Sequence, residues 1–271
     1  MDRMNVYMGD HTVLTKLAHG PKIFLDTREL SMASHLILDG LWEDWITKLF
    51  VSIVKPGMTV LDIGGNCGYY SLLASHLVGN DGTVHAFEPN PFHHSNFIKS
   101  KSINGFYHLH LHKVALADKQ GTMPFHIPVL STASASFYKE VSEGLIAKAD
   151  IESIDEIKIL DVSAVKLTDY LPNLKADVIK MDIEGAEPLV MESIFEIINN
   201  SGKVQIIMEY KQGSWMDHGF DCQSILDRFI SNGFTIQIIQ HDSTLLPVTV
   251  KELIHKSIHA EYDLYISNSE T

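Results

Sequence analysis

A chain of 271 residues with 45% hydrophobic content carries enough apolar material for one well-cored domain with embellishments. Its formal net charge of −13 argues against sequence-independent nucleic-acid binding, which rests on Lys and Arg neutralising phosphates, and favours a small, uncharged or cationic substrate. No uncharged apolar run reaches the ~20 residues that span a bilayer, the first residues lack an apolar leader segment, and Cys67 and Cys222 form no CxxC motif or disulfide framework. A cytoplasmic protein with no membrane partner is the expectation.

Residues 1–55 form an N-terminal extension that packs on or caps the core, with Trp42 and Trp45 beside Glu43 and Asp44 on an expected helix. After Lys55-Pro56-Gly57, residues 56–271 alternate short apolar runs with longer amphipathic segments, the rhythm of a doubly wound parallel sheet. The expected strands are Val60–Ile63, Val84–Glu88, Leu109–Ala115, Val178–Ile183, Val204–Tyr210 and Phe234–Gln240, with helices starting near Tyr69, Pro91, Ala186 and Gln223. Tyr262–Ser267 is expected to close the sheet as an antiparallel edge strand, because only a loop-rich stretch precedes it. Residues 120–172 interrupt the rhythm between strands three and four, with Ser/Thr/Ala-rich Ser131–Ser136, an amphipathic run near Tyr138–Ala149 and a strand-like Ile157–Val165. This insertion is either a lid or substrate wall, or an extra hairpin and helix covering the sheet.

The segment Thr59-Val60-Leu61-Asp62-Ile63-Gly64-Gly65-Asn66-Cys67-Gly68-Tyr69-Tyr70 reads as a strand, a tight glycine turn and a helix start that offers free N–H groups to an anion. Its spacing departs from the G-x-G-x-x-G dinucleotide fingerprint, and Asp62 before the turn would repel a pyrophosphate, which makes a dehydrogenase the least favoured reading. A ligand carrying an ammonium group suits Asp62 better. Glu88 ends the next strand, where its carboxylate can accept both hydroxyls of a ribose. A ribonucleoside bearing an amino acid satisfies both acids, and S-adenosylmethionine is that ligand: amine to Asp62, carboxylate to the turn from Gly64 through Gly65 and Asn66 to Gly68, ribose to Glu88. The plain alternatives are a solvated loop acid for Asp62 and a strand-end cap for Glu88. Asp118, after the third strand, is a candidate acceptor for the adenine amino group or an ordinary turn former before Lys119-Gln120-Gly121.

The runs Val60-Leu61-Asp62-Ile63-Gly64-Gly65-Asn66-Cys67-Gly68-Tyr69-Tyr70-Ser71, Phe87-Glu88-Pro89 and Asp177-Val178-Ile179-Lys180-Met181-Asp182-Ile183-Glu184-Gly185-Ala186-Glu187 resemble the FkbM family of S-adenosylmethionine-dependent methyltransferases. The resemblance extends from about Gly40 to Ser267 and is thinnest in residues 128–163 and at the N-terminus. It implies a Rossmann-like class I methyltransferase fold, α/β with a mostly parallel seven-stranded sheet and an antiparallel edge strand. It also implies O-methyl transfer to a hydroxyl of a sugar, polyketide or other secondary metabolite, and it adds Glu43 and Pro89 to the candidate cofactor-binding residues.

In Lys180-Met181-Asp182-Ile183-Glu184 the polar residues alternate, so all three are expected on one side of a strand end, facing the crevice where open α/β sheets bind ligands. An alcohol must lose its proton to accept a methyl group, which calls for a base or a cation that lowers its pKa. Asp182 is the first candidate, Glu184 the second, and Lys180 would hold or tune them; a local ion pair is the plain alternative. Glu209, ending the next strand, forms with Asp182 either the oxygen set of a hard divalent ion such as Mg²⁺ or a base and an acceptor-orienting acid. His218, in the loop after that strand, is a candidate general base or, with Trp215, a wall of the acceptor pocket. His108, His110 and His112 read as a polar strand face under a helix, and His93-His94 as surface. The expected partner is a small-molecule acceptor, with a second copy of the chain in a homodimer as another candidate. An RNA methyltransferase and a non-catalytic S-adenosylmethionine-binding module are the alternatives.

Overall fold

The structure is a computed structural model that describes residues 4–148 and 156–268. Strands Val6–Gly9 (β1), Thr12–Lys16 (β2) and Lys22–Asp26 (β3) come first, then helices Met32–Leu38 (α1) and Asp44–Ile53 (α2). Strand Thr59–Ile63 (β4) leads through the glycine turn to helix Tyr69–Val78 (α3), and Thr83–Phe87 (β5) to Pro91–Asn104 (α4). Leu109–His112 (β6), Ala115–Leu116 (β7) and Gly121–Pro128 (β8) follow, then helix Lys139–Lys148 (α5) and strand Ile157–Val165 (β9). Helix Leu167–Tyr170 (α6), strand Val178–Met181 (β10), helix Met191–Asn200 (α7) and strand Gln205–Lys211 (β11) come next. The last elements are Gln212–Asp217 (α8), Cys222–Ser231 (α9), Thr235–Ile239 (β12), Leu245–Pro247 (β13), Val250–Ile254 (α10) and Glu261–Ser267 (β14).

The main sheet has eight strands in the order β13-β12-β14-β11-β10-β4-β5-β6. β11, β10, β4, β5 and β6 run parallel, each paired residue by residue with its neighbour, and Asp62 lies beside Lys180 in the β4–β10 register. Apolar side chains alternate across the sheet: Leu61, Ile179, Ile206 and Ile266 pack against α7 and α9, whereas Val60, Val178, Ile207 and Tyr265 pack against α2 and α3. This two-sided burial gives the expected Rossmann-like α/β fold and puts the strand ends that carry the polar residues at one edge of the core.

Three expectations about the sheet need correction. β14 is not an edge strand: it is inserted between β11 and β12 and runs antiparallel to both. Leu264 and Ile266 are buried on one face and Tyr265 on the other, and a strand apolar on both faces belongs in a sheet's interior. An eighth strand is present because β13 folds back on β12. The third strand breaks after His112, and β7 leaves the main sheet to pair with β9.

The insertion is a folded layer. β8 pairs antiparallel and β7 parallel with β9, around a small core of Ala115, Phe125, Ile127, Val162 and Ala164. Ala149, at the end of the expected amphipathic run, lies outside the described residues. The N-terminal extension holds, besides the expected helix α2, an antiparallel sheet β1-β2-β3 that docks on α4, where the Phe24 amide donates to Ser100 Oγ at 2.8 Å. Glu43 precedes α2 with φ of 43°, outside the helix expected to carry it.

The histidines also differ from expectation. His110 and His112 stack with His85, each at 5.2 Å, while His108 turns the other way and bonds the Ser75 carbonyl oxygen of α3. At the edge left by the strand break, the His112 ring also meets Phe87 at 4.6 Å and Tyr170 of α6 at 5.4 Å. His93 is buried in α4 rather than on the surface, and half-buried His94 bonds the Glu88 carbonyl oxygen at 2.8 Å.

Candidate active site

The glycine turn is shaped by close approach of backbone to backbone. Gly64 adopts φ of 89°, and a Cβ there would lie 1.9 Å from the Asp182 carbonyl oxygen, so no larger residue fits between β4 and β10. The Gly64 and Gly65 amides donate to the Phe87 carbonyl at 3.0 Å, which folds the turn over the end of β5. Glu88 then pins it: one carboxylate oxygen accepts the Asn66 amide and the other the Asn90 amide, both at 2.7 Å. Each oxygen keeps a second lone pair for a ligand hydroxyl. Burial pushes the Glu88 carboxyl up to about 7 despite those two amides.

Asp62 lies beneath the turn rather than at its mouth. It is 1% exposed, one oxygen accepts the Ser71 hydroxyl, and the other, Oδ1, is buried without a hydrogen-bond partner among the described residues. Burial raises its pKa, with the Lys180 charge opposing. An orphaned carboxylate oxygen below the turn suits an ammonium or a water bound to one.

Beside the turn is a narrow pocket of about 50 Å³. Gly64, Asn66, Glu88, Pro89, Asp182 and Glu184 line its polar end, and Phe87, Val114, Leu116, Phe125, Ala135 and Phe137 its apolar end. Part of the apolar wall therefore comes from the insertion. Gly65 and Gly68 shape the turn from behind, where Gly68 abuts the Phe97 ring. Asp118 is exposed two residues past Leu116 and does not line this pocket.

Lys180 is buried, donates to Asp182 Oδ2 at 2.8 Å and sits 4.7 Å from the Tyr70 ring centre. Burial disfavours its charge, but Asp182, Glu43 and Asp62 more than offset this and keep it an ammonium. Burial likewise opposes ionisation of Asp182, and Lys180 outweighs it, so Asp182 titrates below the usual carboxylate range. Half-buried Glu43 accepts the Tyr70 hydroxyl at 3.0 Å, and burial pushes its carboxyl up to about 8. It stands behind the lysine and does not line the pocket. Trp45 donates to Asp263 at 3.1 Å and closes that side.

Glu184 does not share the side of Lys180 and Asp182. The strand ends at Met181, and Glu184 (φ 56°) and Gly185 (φ 89°) form a left-handed turn that swings Glu184 onto Lys211 of β11. Lys211 also pairs with Glu209 at 3.0 Å. Burial pushes Glu184 up to about 7 and Glu209 well above the usual range, and a hydrogen bond from Glu209 helps hold Asp182 low. The turn is organised by Glu187, fully buried, whose Oε1 accepts the Ile183 and Gly185 amides at 3.0 and 3.3 Å and whose Oε2 accepts the Trp215 indole N–H. Trp215 is thus core, packed edge-on against Tyr210, and not a pocket wall.

His218 does line a second cleft of about 640 Å³, with Lys211, Ser214, Glu140, Val141, Asp217 and Ile258. A carbonyl oxygen only accepts, so the 2.7 Å contact to Ser214 O places a proton on His218 Nδ1, and in the neutral ring Nε2 keeps its lone pair. Tyr138 of the insertion stacks on this ring, with centroids 3.4 Å apart. The Lys211–Glu184 pair separates the two cavities. Lys211 goes unmarked in the sequence, although Glu209-Tyr210-Lys211 repeats the polar alternation of Lys180-Met181-Asp182; Glu187 stands there only as an acid at a helix start, and Tyr138 only as the start of an amphipathic run.

Oxygens of Asp182, Glu184 and Glu209 come within 4.8 Å of one another, spacing that a hard divalent ion could use. The two ammoniums already stand there: Lys180 on Asp182, Lys211 on Glu184 and Glu209. A metal ion would have to expel Lys211 from two carboxylates, so the donor set as arranged does not fit one.

Among the described residues, no helix is long and apolar enough to cross a membrane. No curated protein matches the sequence. The fold is similar to a methyltransferase FkbM from Methylobacillus flagellatus KT (13% identity, TM-score 0.45, 81% of this chain and 50% of that one). It is also similar to a SAM-dependent O-methyltransferase from Thermotoga maritima (11%, TM-score 0.45, 100% and 86%) and to a SAM-dependent methyltransferase from Aquifex aeolicus (13%, TM-score 0.42, 88% and 94%). The family model for the methyltransferase FkbM domain matches residues 62–236, from the acid before the glycine turn to the start of β12. The chain therefore belongs to the FkbM family of S-adenosylmethionine-dependent methyltransferases.

Proposed function

We propose that this methyltransferase acts on a hydroxyl of a small molecule, a sugar or another polyhydroxylated metabolite. When bound, S-adenosylmethionine supplies an electrophilic methyl group on its sulfonium. Asn66 and Glu88 line the pocket where the ribose would lie, and the orphaned Asp62 Oδ1 offers a site for its ammonium, directly or through water. Asp182 and Glu184, at the junction of the two cavities, hold the acceptor oxygen in line; positioning of this kind supplies much of the acceleration in a displacement.

The observation that carries the reading is His218. Its Nδ1 proton is spent on the Ser214 carbonyl, and its Nε2 lone pair belongs to a residue lining the cleft beside the Lys211–Glu184 pair. An acceptor hydroxyl in that cleft would pass its proton to Nε2. Asp182 is the weaker base, because Lys180 stabilises its ionised form. The cleft wall carries Glu140 and Asp217, and the chain carries a net charge of −13, both of which oppose a polyanionic acceptor such as RNA. The two ammoniums meet the demand for local positive charge, so no step is assigned to a divalent ion.

The test is transfer of labelled methyl from S-adenosylmethionine across sugars, phenols, amines and RNA, with and without EDTA. Label recovered as a methyl ether, with EDTA or without, supports the proposal. Label found only on amines or RNA, or no transfer by protein that binds the cofactor, overturns it.

A further inference from the structure

The insertion places a buried hydroxyl at the pocket wall without a partner among the described residues. Thr132 is 3% exposed, its Oγ1 is buried without a hydrogen-bond partner among the described residues, and it lines the pocket beside the glycine turn. Buried hydroxyls ordinarily find a partner, and an orphan at a cavity wall marks a place where something else supplies it. The segment that presents it is held at both ends. The Leu30 amide of the N-terminal extension donates to the Leu130 carbonyl at 2.7 Å, and Ser136 Oγ donates to the Glu184 carbonyl at 2.8 Å. Between these anchors Ala133 and Ala135 leave room in the pocket.

We infer that the Thr132 hydroxyl hydrogen-bonds the nucleoside half of S-adenosylmethionine, which makes the insertion a part of the cofactor site. The inference rests on cofactor binding in this pocket. A hydroxyl both donates and accepts, so it fits the polar edge of a purine or a ribose hydroxyl, whereas the surrounding Phe125 and Phe137 offer only apolar surface. Because Ser136 ties the same segment to Glu184, an occupied nucleoside pocket also braces the turn that carries the chemistry.

The test is calorimetric binding of S-adenosylhomocysteine, and of 5′-methylthioadenosine, which lacks the amino-acid half, to wild type, Thr132→Val and Thr132→Ser. Thr132→Val is expected to weaken both ligands by a similar factor, roughly three- to tenfold, the size of one hydrogen bond. Thr132→Ser should restore most of the loss. The ligand-free melting temperature of Thr132→Val should equal or exceed that of wild type, because an unpaired hydroxyl has been removed, and this separates lost binding from lost folding. Undiminished binding of both ligands by Thr132→Val, or a loss confined to S-adenosylhomocysteine, overturns the inference. If wild type binds neither ligand, the cofactor reading itself falls and takes the inference with it.

Discussion

Trp215 donates its indole N–H to Glu187 across 3.0 Å, and that one bond joins the turn after β10 to the helix after β11. The same carboxyl group takes the Ile183 and Gly185 amides, so Glu187 fixes Glu184 and, through α8, the backbone that orients His218. Glu187→Gln is expected to destabilise the protein by about 1–3 kcal/mol, since an amide cannot accept at both ends. It should also lower kcat by roughly tenfold or more through misplacement of the turn. Urea unfolding beside steady-state kinetics checks both; a variant as active and stable as wild type would remove Glu187 from the site.

If His218 Nε2 accepts the proton, His218→Ala should cut kcat by roughly 10²- to 10⁴-fold. S-adenosylhomocysteine binding should be unchanged, because His218 lines the other cleft. Tyr138→Ala, which removes the ring stacked on His218, should raise the acceptor KM more than it lowers kcat. Loss of cofactor affinity in His218→Ala would contradict the separation of the two cavities.

Lys211 neutralises Glu184 and Glu209 where a divalent ion would otherwise sit. EDTA should leave wild-type turnover intact. Lys211→Ala leaves two half-buried carboxylates without their cation, so it should lose activity and become less stable. Its melting temperature, unlike that of wild type, should rise with added Mn²⁺ or Ca²⁺. A metal requirement in wild type would refute this account.

Stability of the ligand-free protein should fall as pH rises from about 6.5 to 8; below 6.5 the neutral His85, His93 and His112, lowered by burial to about 4, 3 and 4, oppose the trend. The Glu88 carboxyl is pushed from its ordinary 4.5 to about 7 by burial, so between those values the folded state keeps a proton that the unfolded chain has lost. That difference is worth on the order of 3 kcal/mol, fully present below pH 4.5 and gone above pH 7. Glu184, pushed to about 7, and Glu43, to about 8, act in the same direction. Melting temperatures from pH 6.5 to 8 check the slope, and Glu88→Gln should make it shallower; a protein more stable at pH 8 than at pH 6.5 would disprove it.

The glycine turn and its two acids are legible in the sequence because they are local, at consecutive strand ends. The chemical half is less so. Glu184 follows Lys180 and Asp182 in the alternation of a strand, but its left-handed φ sends it to Lys211, a partner 27 positions away that no periodicity announces. Glu187 reads as a helix-start acid, yet its amide partners lie behind it and its indole partner lies on another element. Trp215 and the lone Thr132 hydroxyl show the same limit: burial and orphaned atoms are properties of packing, and packing depends on which distant segments meet. The β1-β2-β3 sheet escapes for a different reason. Its strands are short, and in β1 Val6, Tyr7 and Met8 are exposed, so apolar and polar positions of that strand do not sort by face.

The place of β14 has a consequence for biosynthesis. β11 and β12 both lean on it, so a nascent chain that has emerged from the ribosome only through β13 holds two half-sheets with an open slot and unsatisfied backbone groups along β11. Leu264 and Ile266 fill the core beneath that slot, and it closes only when the last strand arrives. During that interval the slot is a surface that chaperones would shield and that a second nascent chain could invade.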